Sequence, residues 1–336
     1  MPGLLSRELT PEEQKAAERL QQQLRRREGS RGTGAAIRQA GAQANSAAAV
    51  LAVLGEAPEA DRRWLYAQLT EGPEFLVQLA DSTRFSRAEL LAACRGLMAL
   101  DSLLDVHLAR LLPGRQGDSV LSPESAVQVL DVLDEISPGG RLIQLLNHLT
   151  QHPDSRIASR ATLFIGKRLR NPEWVSHLMA SPDDRVRASV VESLWDASAR
   201  AACRLRAALK DKNNRVVGNA LIGLHHLGEQ GVVEFVKQMI RDRRPPFRWT
   251  AAWVMGKIGS REFIELLQQA VQDKDAQVRR SAERALTAIQ QAPAAQAPAG
   301  EEKQAAAPGN SSPRPSPSPP CQQVDIRYDG KYVTRI

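Results

Sequence analysis

Aromatic side chains are scarce in this chain: Phe, Trp and Tyr together make up 4% of its 336 residues. A core with so few rings must be built from Leu, Val, Ile and Ala. That suits helices in close contact through small residues better than a sheet sandwich. Cysteine is rarer still. Cys94, Cys203 and Cys321 are odd in number and far apart, which argues against a disulfide framework and against a CxxC zinc site. No apolar run approaches the roughly 18–20 residues that a membrane-spanning helix needs. The opening residues, Met1-Pro-Gly-Leu-Leu-Ser-Arg-Glu8, turn charged too soon to hold a secretory leader. The expectation is a cytoplasmic protein that does not insert into membranes. Catalytic signatures are missing as well: the chain has no GxSxG, no phosphate-binding GxxxxGK(S/T) and no GxGxxG after a strand.

What the chain does have is an uneven charge. The formal net charge is +7. Residues 1–150 hold 16 Lys and Arg against 19 Asp and Glu, residues 151–290 hold 24 against 15, and residues 291–336 hold 5 against 4. The basic excess therefore sits in the middle. Such asymmetry marks an anionic partner or an arginine used once per structural repeat.

The length corresponds to about two domains, and five segments can be read along the chain. Residues 1–34 hold one helix and a glycine-rich link. Thr10, Pro11 and Glu13 spell a capping box, and Ala16, Ala17, Leu20 and Leu24 share one face of the helix that follows. With Gly29-Ser-Arg-Gly-Thr-Gly34 after it, this helix is expected to be mobile. Residues 35–140 alternate apolar runs at helical spacing with breakers such as Gly72-Pro73 and Ser137-Pro-Gly-Gly140. Residues 141–290 carry a repeat. Residues 291–320 are Ala, Pro, Ser and Gln with almost no large apolar side chain, the composition of a disordered linker. In residues 321–336, Val324–Tyr328 and Lys331–Ile336 flank Asp329-Gly330, a β-hairpin signal. An isolated hairpin is marginal in water, so this tail is expected to dock, on this chain or on another.

The repeat is the informative feature. Ile157, Val186, Val216, Phe247 and Val278 lie 29, 30, 31 and 31 residues apart. Four residues on stand Ala161, Val190, Ala220, Ala251 and Ala282. Eight on stand Ile165, Leu194, Leu224, Met255 and Leu286. Offsets of 4 and 8 trace one helix face. An acidic or Asn turn precedes each helix, a glycine or small residue (Gly228, Gly259, Ser198) follows it, and a second apolar segment precedes the turn. The unit is a helical hairpin. One hairpin cannot cover its apolar face, so several must stack.

These residues resemble the HEAT-repeat family in its short bacterial form, the repeat type also seen in chromophore-lyase-like proteins. The element Asp-x-x-Val-Arg-x-x-Ala stands at Asp275–Ala282, with near-copies at Asp183–Ser189 and Asn214–Ala220. The likeness is good over about 140–290 and weaker over 35–140, where the helices read as degenerate repeats. The resemblance implies an all-α, HEAT-like α-α superhelix. It says little about activity, and no residue argues for lyase chemistry.

Arginine recurs beside the anchor positions: Arg156, Arg185 and Arg215 one before, and Arg187, Arg248 and Arg279 one after. Two readings are open. The arginines line a groove for phosphates, or an Asp in one turn pairs with the arginine of the next repeat. The second is preferred because both residue types recur. Arg243, Arg244 and Arg248, with Trp249 and Trp253, form the densest cationic and aromatic stretch, and they are candidate binding residues. Val324, Ile326, Tyr328 and Tyr332 are the tail's candidates for adding a strand to a partner. His148 and His152 have i, i+4 spacing, but Pro153 follows and no third ligand is evident. No cofactor and no metal are expected. The reading is a non-enzymatic scaffold for an unidentified protein partner. The alternative is a nucleic-acid-binding solenoid using the basic 156–284 face.

Overall fold

The computed structural model describes residues 4–5, 7–25, 46–114, 119–169, 171–196 and 199–291. Among these residues there are 17 α-helices and no strand. The chain divides into two compact units, Met1–Asn171 and Pro172–Ile336. The division falls inside the stretch read from the sequence as one block, 141–290. The expected linker and hairpin tail lie outside the described residues.

The first unit holds α1 (Pro11–Arg25), α2 (Ser46–Glu56), α3 (Glu59–Leu69), α4 (Glu74–Ala80), α5 (Arg87–Leu97), α6 (Leu104–Ala109), α7 (Pro123–Ile136), α8 (Ile143–Leu146) and α9 (Ser155–Leu169). Local chemistry sets the starts. Ser86 and Glu89 close a capping box on α5, and Ser122 caps α7 just before Pro123. The apolar spacing of Arg141–Thr150 predicts one helix; the segment is instead a single turn of α8 followed by a 3₁₀ run, Asn147–Gln151. His148 and His152 serve this corner: the His148 ring lies 2.8 Å from the Pro113 carbonyl, and His152 Nδ1 accepts from the Asp154 N–H at 3.0 Å.

Helices α5, α7 and α9 lie side by side, and their facing charges alternate in sign. Arg87 and Arg95 of α5 reach Glu135 of α7. Asp131 of α7 meets Arg160 of α9 at 3.2 Å, and Asp134 meets Lys167 and Arg168 at 2.6 and 2.7 Å. Burial alone would raise the Asp134 carboxyl; the two cations outweigh it and hold the group below the usual range.

Helix α1, expected to be mobile, is anchored. Its capping box forms, with Thr10 N–H donating to Glu13 at 2.8 Å and Glu13 N–H to Thr10 Oγ1 at 3.3 Å. It packs against α2, burying Ala17 and Leu20. Ahead of it, Leu4 closes over Gly96 of α5. Arg7 then bridges Glu13 of α1, at 2.7 Å, to Glu89 of α5. The hydrogen bonds from Arg7 hold the Glu13 carboxyl down to about 2. A depressed folded-state pKa stabilises the fold above the unfolded value, and that stabilisation is lost as pH falls through the folded one. The melting temperature is therefore expected to drop between about pH 4.5 and 2. Glu13→Gln should lower it at neutral pH and flatten that descent in an acid titration followed by circular dichroism.

The second unit is a row of four hairpins: α10 (Pro172–Met179) with α11 (Asp184–Glu192), α12 (Ala202–Ala208) with α13 (Asn214–His226), α14 (Val232–Met239) with α15 (Pro245–Ile258), and α16 (Ile264–Ala270) with α17 (Ala276–Gln291). The second helices touch in sequence, α11 to α13 to α15 to α17. All five anchor residues from Ile157 to Val278 are buried, and so are the residues four further on. Gly228 and Gly259 end α13 and α15 with φ of 69° and 75°, a region where a Cβ is strained.

Cys94 is buried and free, and desolvation pushes its thiol up to about 12. Cys203 is exposed on α12. In timed alkylation, Cys94 is expected to react only after unfolding; rapid labelling of Cys94 in the folded protein would contradict its burial.

Candidate interaction surface

The four turns that enter α11, α13, α15 and α17 are built alike. In three of them an Asx side chain caps the helix. Asp183 accepts from the N–H groups of Arg185 and Val186, Asn213 from Arg215 and Val216, and Asp275 from Gln277 and Val278. In the fourth, Arg244 occupies the cap position without a side-chain cap, and Pro245 begins the helix. A cap side chain serves the N–H groups two and three residues on; here Pro246 has none and the Phe247 N–H donates to the Arg244 carbonyl at 3.1 Å, so the cap acceptor is dispensable.

Two residues before the cap stands a second acceptor. Asp211 accepts from the Asn213 N–H at 2.8 Å, Asp242 from Arg244 at 2.7 Å and Asp273 from Asp275 at 2.8 Å. In the first turn Ser181 Oγ takes this role toward Asp183, at 3.3 Å. These side chains tighten the turn in the manner of Asx and Ser turns.

The arginines one past the anchor lock each turn to its neighbour. Arg187 Nη1 donates to the carbonyls of Ser181 and Pro182, while Nε and Nη2 clamp Asp211 of the following turn at 2.8 and 3.1 Å. Arg248 repeats the device. It donates to the carbonyls of Asp242 and Arg243 and clamps Asp273 at 2.7 and 2.8 Å. Arg279 makes the carbonyl half of the contact, to Asp273 and Lys274. The expected ladder thus exists with its direction reversed: the arginine belongs to the earlier repeat and the aspartate to the next turn. The arginine must lie in the helix that also caps its own turn, which leaves only the far side of the guanidinium to reach forward.

The α13 repeat breaks the pattern and repairs it. Val217 stands where the arginine would be. Asp242 is held instead by Arg244 from its own turn, at 2.7 and 3.0 Å, and the Arg244 guanidinium lies 3.9 Å over the Phe247 ring. Burial would raise the Asp242 carboxyl, and Arg244 more than offsets it. The hydrogen bonds from Arg248 likewise hold Asp273 below the usual range. The two departures, Val217 and Arg244, compensate one another.

The candidate residues separate on this frame. Arg248 is buried and its donors serve the framework. Arg244 is half-buried on Asp242 and Phe247. Arg243 is exposed. Trp249 and Trp253 are half-buried along α15, where Trp253 lies against Gly218 of α13 and the Trp249 carbonyl accepts from Ser281. Trp253 is eight residues beyond Pro245, about 12 Å along the helix, so Arg243 and the two rings do not form one cluster. Val324, Ile326, Tyr328 and Tyr332 lie outside the described residues.

Helix α13 shows how closely the repeats approach. Every residue from Val216 to Leu224 is buried. Thr250 and Trp253 close over Gly218, and Trp195 and Leu205 over Gly223. Asn219 donates to the Ala188 carbonyl at 2.9 Å, its own carbonyl accepts from Trp195 Nε1 at 2.8 Å, and Asn214 donates to Thr250 at 2.6 Å. No open groove runs along this helix. The turn at its start is exposed at Lys212 and Arg215.

A family model describing HEAT repeats matches residues 171–246 and again residues 202–287. Those residues cover the four hairpins of the second unit. No curated protein matches the chain. Among the described residues no helix is long and apolar enough to cross a membrane, and no group of three or more His, Cys, Asp or Glu is placed to hold a metal ion.

Proposed function

We propose that this chain is a non-enzymatic scaffold that binds protein through the surface of its repeated hairpins. The observation that supports this reading most is the shared turn of the second unit. Asp211, Asp242 and Asp273 sit at equivalent places, each satisfied by arginine and by a backbone N–H. A carboxylate so held is a poor general base, because its lone pairs are occupied. What the repeats offer instead is one surface presented several times over, a property suited to an extended partner.

Affinity capture with the intact chain, followed by cross-linking mass spectrometry on the purified complex, tests this. The expected result is a saturable protein partner whose cross-links fall within 171–291. A chain ending at Pro320 measures what the tail adds. A chain that retains no protein, and instead binds duplex DNA with an affinity falling steeply as salt rises, would replace this reading with the nucleic-acid one.

A further inference from the structure

The turns of the second unit carry a feature that the framework does not use. Each tightening aspartate is followed in sequence by a cation, and two of the three are preceded by one as well. The triplets read Lys210-Asp211-Lys212, Arg241-Asp242-Arg243 and Gln272-Asp273-Lys274. The three aspartates are tied up by Arg187, Arg244 and Arg248. Lys212, Arg243 and Lys274 are all exposed. They are spaced 31 and 31 residues apart, and each precedes by one residue the N–H that closes the same turn, at 2.7 to 2.8 Å. Equivalent backbone geometry gives these three cations equivalent positions, one per hairpin. Arg241 and Arg215 are also exposed on this edge. The facing acids are few and engaged: Asp183 and Asp275 cap α11 and α17, and Asp184 accepts from Asn213. Neutralising the aspartates inward therefore leaves the outer edge cationic.

We propose that the row Lys212, Arg243 and Lys274 is a docking edge for an acidic polypeptide in the polyproline II conformation with an acidic side chain at every third residue. Packed helices lie about 8–10 Å apart, and three residues of polyproline II chain rise about 9 Å and complete one turn, which brings every third side chain back to the same face. One carboxylate therefore meets each cation in register. A single-stranded nucleic acid fits less well. Bases need an exposed aromatic face beside the charge, and the ring at the Arg243 turn, Phe247, is buried beneath Arg244.

The proposal names the partner class for the scaffold reading and rests on it. It is tested with the intact chain by fluorescence anisotropy, using a labelled peptide of repeated Glu-Ser-Gly, a peptide of the same composition with its glutamates clustered, and a thymidine oligonucleotide of equal charge. The spaced peptide is expected to bind most tightly and to weaken as salt rises from about 20 to 300 mM, since exposed pairs are screened. The triple variant Lys212→Gln, Arg243→Gln, Lys274→Gln should bind about tenfold more weakly, on the modest worth of each exposed pair. Its circular dichroism should be unchanged, because none of the three side chains makes a framework bond. Arg185→Gln, whose turn has Pro182 at the row position, should bind as the parent does. Equal binding by the triple variant, preference for the clustered peptide or the oligonucleotide, or no binding at low salt would each overturn the proposal. If cross-links still map a protein partner to 171–291, the scaffold reading survives that failure.

Discussion

Arg248→Ala is expected to destabilise the second unit by about 3 kcal/mol, within the range for removing one partner of a buried ion pair. The reason is the number of groups it leaves behind. The side chain is 8% exposed and that of Asp273 is 15% exposed. Without the guanidinium, Asp273 keeps its desolvation cost and loses its counter-charge, and the carbonyls of Asp242 and Arg243 lose their donor. Arg248→Lys should recover only part of the loss, since an ammonium cannot clamp a carboxylate and cap two carbonyls at once. Urea unfolding of both variants measures the cost. A double-mutant cycle with Asp273→Ala separates the pair from the carbonyl contacts. A loss below about 0.5 kcal/mol for Arg248→Ala would mean that the clamp is dispensable.

Gly256→Leu is expected to cost about as much by a different route. At Gly256, α15 approaches α17 so closely that a Cβ would lie 2.9 Å from both Cα and Cβ of Ala285. The obstacle is backbone, which no rotamer change relieves, so the two helices must part. Overpacking of this kind costs about 1–3 kcal/mol for a small group and more for a large one. Gly256→Ala should therefore already destabilise, and Gly256→Leu should do so by about 3 kcal/mol. Gly218→Ala tests the neighbouring contact. There a Cβ would meet the Thr250 methyl at 2.5 Å, and Thr250 is buried and held by Asn214 at 2.6 Å, so this substitution should also destabilise in the same denaturation series. A Gly256→Leu variant as stable as the parent would show that α15 and α17 have slack between them.

Much of the second unit could be read directly because its signals are local and repeated. The anchors, the alanine or valine four residues on and the caps each depend on helix geometry within one hairpin. Repetition separated them from chance. The first unit was less transparent. Its helix positions follow from breakers such as Ser122-Pro123, but the ion pairs linking α5, α7 and α9 join residues 29–48 apart in sequence with no fixed period. The anchoring of α1 was likewise hidden. Arg7, Glu13 and Glu89 carry no mark that they meet, and the flexible composition after Arg25 pointed toward mobility.

The candidate surface divides in the same way. That arginines and aspartates pair between repeats was legible from their recurrence. Which repeat supplies which partner was not, because the direction depends on where the guanidinium stands once it has capped its own turn. The same geometry took Arg248 out of the binding set and left Arg243 in the exposed row.

By itself, then, the order of residues determined that this chain is helical, where most helices begin, and that four hairpins of the second unit are variations on one plan, since each of those depends on contacts within a few turns of chain. Only the tertiary structure decided which charges are spent inside and which face solvent, because that choice depends on distances between neighbouring hairpins that no single repeat specifies.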